Sequence, residues 1–142
     1  MMTTQGQAVA ETPAARLTVL RGTCMGAAVL LILQFAIGMG LNLYVEVPSG
    51  KSFFAAVFSS ALLASHFIVA LALLGASVTA LVRAIRARAA VVPAAAGTAV
   101  IVVAAGAGGT FVNSGSDVAS LVMALAAAVG MFCYATAIFR LR

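Results

Sequence analysis

Residues 22–45, 52–82, 89–116 and 118–139 contain no Asp, Glu, Lys or Arg, and each stretch carries a long apolar run. A helix needs about 20 such residues to cross roughly 30 Å of hydrocarbon. Inside lipid every backbone N–H and C=O must be bonded within the protein. The choice is therefore between helices and closed barrels, and the alternating polarity of barrel strands is missing. The sequence predicts an all-α protein, a transmembrane four-helix bundle with spans at roughly 23–45, 53–82, 90–112 and 118–139.

Composition agrees with that reading. Hydrophobic residues make up 64% of the 142 and charged residues 8%, against about a quarter charged in a soluble domain. The net charge of +5 does not suggest nucleic acid, because the basic residues sit at segment ends rather than on one face. Arg16 and Arg21 precede the first segment, Arg83, Arg86 and Arg88 fill the second connection, and Arg140 and Arg142 follow the fourth. Glu46 with Lys51, and Asp117, occupy the other two connections. Basic residues accumulate on the cytoplasmic side, so an up-down-up-down threading with both termini cytoplasmic is expected. Abundant alanine and a preference for Arg over Lys suggest a bacterial inner membrane.

Residues 1–22 are expected to form a mobile cytoplasmic tail and 23–142 the membrane domain. The first apolar run is longer than the ~7–15 residues of a signal-peptide core, so it is read as a retained helix. Ser116 or Asp117 is expected to cap the fourth helix, and Pro93 to fall in the first turn of the third. Small residues four apart mark where membrane helices approach. Gly22, Gly26, Gly40, Gly106, Gly109 and Gly130 are the candidates, and the run Gly106–Thr110 is also a place for a kink.

One histidine, His66, lies in "LLASHFIVALALL". Ionisable residues inside a span are functional hypotheses by default. Counted from the outer ends of their helices, His66 and Gln34 fall at similar depth, roughly 14–16 Å, and a Gln34–His66 hydrogen bond is expected. Haem b is the alternative. With a single histidine it requires a dimer sharing two His66 side chains, or a second ligand from Met39, Met123 or Met131. A third reading is a small dimeric transporter. Multidrug-resistance exporters resemble the chain in size and span number, but their membrane-embedded glutamate has no counterpart where Gln34 stands. No catalytic group and no metal site can be assembled, since Cys24 and Cys133 lack metal-ligand spacing.

At Leu33–Pro48 the chain resembles small four-span bacterial membrane proteins with a Q-x3-G-M-x2-NLYV-x2-P pattern. Gly108–Phe111 and Ser120–Ala124 match a further "GxxF...S..MA" stretch, and the histidine of the second helix is shared. The resemblance implies the fold and supplies no activity. In layout alone the chain is similar to half of haem A synthase and to cytochrome b561-like bundles, without their additional histidines. The expected function is that of a non-catalytic accessory, assembly or complex subunit. Its partners would be the lipid bilayer and a second copy or a larger membrane complex. No cofactor is expected unless His66 holds haem.

Overall fold

A computed structural model describes residues 12–46 and 50–142. The described residues form five helices and no strand: α1 (Pro13–Tyr44), α2 (Phe53–Val57), α3 (Ala61–Ala87), α4 (Val91–Ser114) and α5 (Asp117–Arg140). All but α2 are long and apolar enough to cross a membrane, which suggests a membrane protein.

α1 starts at Pro13, ahead of the expected 23. Thr12 caps it through Oγ1, which accepts from the Ala15 N–H at 3.3 Å, and proline suits the first turn because its missing N–H has no helical partner there. Residues 13–22 are therefore helix rather than tail, and Leu20 among them is fully buried. Residues 1–11 of the expected tail lie outside the described residues. A helix of 32 residues is about 48 Å long, so α1 outreaches the hydrocarbon.

The expected span 53–82 is broken at Phe58–Ser60 and extends to Ala87. Two serines explain the break. Ser59 Oγ donates to the Ala56 carbonyl at 2.6 Å, while Ser60 is extended and its Oγ accepts from the Leu63 N–H at 3.1 Å. Both bonds offer the backbone an alternative to continuing the helix. α3 then passes to α4 through Arg88 and Ala90, both with positive φ (51° and 52°), a conformation that favours glycine. Gly115 (φ 63°) ends α4. Ser116 caps α5 by accepting from Ala119 N–H at 3.4 Å, leaving Asp117 in the first turn, where its charge opposes the positive helix end. Gly106–Thr110 runs as unbroken helix, with the Thr110 hydroxyl donating to the Gly106 carbonyl at 2.9 Å.

The most extensive packing is of α4 on α5 and of α1 on α3; α1 with α5 and α3 with α4 complete a ring, and the short α2 leans on α3 and α4. Leu20, Cys24, Ala27 and Leu31 supply α1's share of the core, one face of a helix at spacings of four and three. Ala80, Ala84, Ala94 and Ala137, all fully buried, bring backbones close, as bilayer packing requires.

Only part of the expected glycine packing is present. A Cβ at Gly130 would stand 3.2 Å from Leu31 Cδ1, and one at Gly40 would stand 3.6 Å from Leu62 Cδ2. At Gly22, Gly26, Gly106 and Gly109 a Cβ would meet nothing within 4 Å. In this chain alanine is abundant enough to provide the close approaches, so glycine spacing does not single out the helix contacts. Large apolar side chains, among them Val29, Ile32, Ile68, Val103, Leu121 and Phe132, are exposed on all four long helices.

Candidate functional site

Gln34 of α1 and His66 of α3 meet side by side, Nε2 to Nε2 at 2.9 Å. One nitrogen donates and the other accepts. With the amide as donor, the imidazole is neutral and carries its proton on Nδ1; with the amide reversed, Nε2–H donates to Oε1. The pair forms across a stagger. His66 is five residues past the start of α3, about 8 Å, and Gln34 ten residues before Tyr44, about 15 Å. α1 runs further past the pair than α3 does, because α3 begins only at Ala61, after the break that follows α2.

Gly38, one turn beyond Gln34 on the same face, makes room for the ring. A Cβ there would be 3.2 Å from His66 Cε1 and 3.8 Å from Nδ1. The Q-x3-G spacing thus has a physical content: the first residue bonds the imidazole and the second clears space for it. Gln34 Oε1 and His66 Nδ1 are shielded and without a partner, so the pair holds more hydrogen-bonding capacity than it uses.

The pair stands in the wall of a cavity of about 230 Å³ lined by residues from all five helices, with no Lys, Arg, Asp or Glu among them. Phe35, Phe53 and Phe67 contribute aromatic surface; the Phe53 and Phe67 rings meet edge to face with centroids 5.9 Å apart. Asn42 and Ser120 close another part of the wall and tie α1 to α5. Asn42 Nδ2 donates to Ser120 Oγ at 2.9 Å, and the hydroxyl lies 3.2 Å from Asn42 Oδ1. Met39 and Met123 share this wall with His66, whereas Met131 packs against the core. Gly109 also lines the cavity, which explains the open space beside it.

A second polar group escapes a search by motif. Tyr134 is the largest fully buried side chain, and its ring lies on Gly97, where a Cβ would stand 3.0 Å from Cε2 and 3.1 Å from Cζ. The hydroxyl faces Ser77 and Thr98 without reaching hydrogen-bond geometry to either. Both of those hydroxyls use their protons elsewhere: Ser77 Oγ donates to the Leu74 carbonyl at 2.8 Å, and Thr98 Oγ1 lies 2.9 Å from the Ala94 carbonyl and 3.1 Å from that of Ser77. The nearby thiols of Cys24 and Cys133 are free and buried.

The arginines gather as well. Arg83 Nη1 donates to Thr23 Oγ1, and Arg16 and Arg86 flank one cleft where α1 begins and α3 ends. Among the described residues no three His, Cys, Asp or Glu side chains come together to hold a metal ion. No family model, curated protein or solved structure matches the chain.

Proposed function

We propose that the chain is a multi-pass protein of a bacterial inner membrane, an up-down-up-down four-helix bundle with both termini cytoplasmic. It acts without catalysis as an accessory or assembly subunit, joined to a second membrane helix through an outward face of α1. Support for the threading comes from the grouping of Arg16, Arg83 and Arg86 where α1 begins and α3 ends, while Asn42 and Ser120 meet where α1 ends and α5 begins. A membrane-impermeant thiol reagent applied from outside is expected to label a cysteine introduced at Ser52 and to spare one at Arg88. The native thiols are buried and stay silent; the reverse pattern would overturn the orientation.

The observation that carries the subunit reading is the placement of Gly22 and Gly26. They are exposed, continue along α1 into Val29 and Leu33 on the same side, and contact nothing within their own bundle. Such a face lets a partner backbone approach. Cross-linking in native membranes should trap the intact protein in a complex that Gly26→Ile largely abolishes. Because Gly26 is exposed and a Cβ there meets nothing within 4 Å, the monomer's thermal stability should change little. A chain that remains alone in the membrane, or a complex indifferent to Gly26→Ile, rules the face out.

A further inference from the structure

We infer that the cavity beside Gln34 and His66 is a binding site for an uncharged lipid-soluble ring compound bearing carbonyl or hydroxyl groups, of the quinone and quinol class. The first constraint is charge. With no ionic side chain in the wall, a phosphate or carboxylate head would lie in a low-dielectric space without a counter-ion, at a cost that excludes it. The second is the polar pair itself. A plain hydrocarbon chain would leave Gln34 and His66 with nothing to bond, although Gln34 Oε1 and His66 Nδ1 already lack partners. A ligand oxygen that parts the pair accepts from an N–H of the imidazole or amide, and a quinol hydroxyl also donates to the acceptor left over.

Shape gives the third constraint. Phe35, Phe53 and Phe67 offer flat apolar surfaces for a ring, and Met39 and Met123 adapt to its substituents. Phe35, Met39 and Leu71 line the cavity and are exposed. The site is therefore open at these residues, and a molecule dissolved in the bilayer reaches it there with its tail left in lipid.

Gly109 provides the test. It lines the cavity, and a Cβ added there touches nothing within 4 Å, so Gly109→Leu adds bulk to the wall and leaves the polar pair itself unaltered. Thermal unfolding of the purified protein is followed with a decyl-tailed benzoquinol and naphthoquinol. Either should raise the wild-type midpoint by about 5 °C at saturation. Gly109→Leu should remove the shift while unfolding near the wild-type midpoint without ligand, Gln34→Leu/His66→Leu should remove it too, and Gly75→Leu, at an exposed position outside the cavity wall, should keep it. Absence of a shift in the wild-type protein, a shift that survives Gly109→Leu, or an equal shift with a straight-chain alcohol of the same tail would each overturn the assignment.

Discussion

Tyr134→Ala is expected to destabilise the bundle by about 3 kcal/mol, toward the low end for emptying an aromatic site. The side chain is fully buried and wedged onto the Gly97 backbone, between helices too closely packed to collapse into the gap. The transfer part of the usual penalty is reduced because the unfolded helices remain in lipid, which leaves lost packing as the main term. Tyr134→Phe should behave in the opposite way. The hydroxyl is buried without a hydrogen bond, so its removal relieves an unmet polar group and is expected to be neutral or stabilising by up to about 1 kcal/mol. Unfolding of both variants in mixed micelles reads the difference. If Phe costs as much as Ala, the hydroxyl is bonded and the account of this group is wrong. Gly97→Leu, which pushes into the same ring, should cost about 1–3 kcal/mol, and Tyr134→Ala should relieve much of that cost when combined with it.

The Gln34–His66 contact is expected to give a coupling energy of about 1 kcal/mol in a double-mutant cycle, within the range measured for polar pairs between membrane helices. Gln34→Leu alone leaves the imidazole with both nitrogens unpartnered, and His66→Leu alone does the same to the amide. Each single variant should therefore be less stable than the wild type, and the double variant more stable than the sum of the two losses implies. Gly38→Ala offers an independent check, since its methyl group stands 3.2 Å from His66 Cε1 and displaces the ring. That substitution should cost stability in the wild type and little in a His66→Ala background. Strict additivity of Gln34→Leu and His66→Leu would show that the 2.9 Å contact contributes no free energy.

The long apolar helices were legible because a bilayer leaves the backbone few alternatives. The places where the reading went astray have local causes. Ser59 and Ser60 look like tolerable polar residues inside an apolar run, yet their hydroxyls bond the backbone in ways that stop a helix. Thr12 and Pro13 start α1 early by a cap and a preset dihedral, which a hydropathy pattern does not register. The glycine spacings were ambiguous for a statistical reason: among so many alanines, small residues four apart arise on every face. Gly38 and Gly97, which do receive side chains from other helices, are not distinguished by spacing, because what selects them is the bulky partner on another helix. Only the Q-x3-G interval beside His66 hinted at the first of them.

What the sequence determined by itself is the all-helical, apolar character of the chain and the distribution of charge at the helix ends, since both follow from the cost of leaving polar groups in hydrocarbon. Tertiary structure decided which residues meet: the stagger that carries Gln34 to His66, the placing of Phe53 and Val57 of α2 in the wall of an uncharged cavity, and the seating of Tyr134 on Gly97. Those outcomes depend on the rotation and offset of each helix. In lipid, where nearly every face is apolar, hydrophobic pattern does not fix rotation, and the fit of individual side chains does.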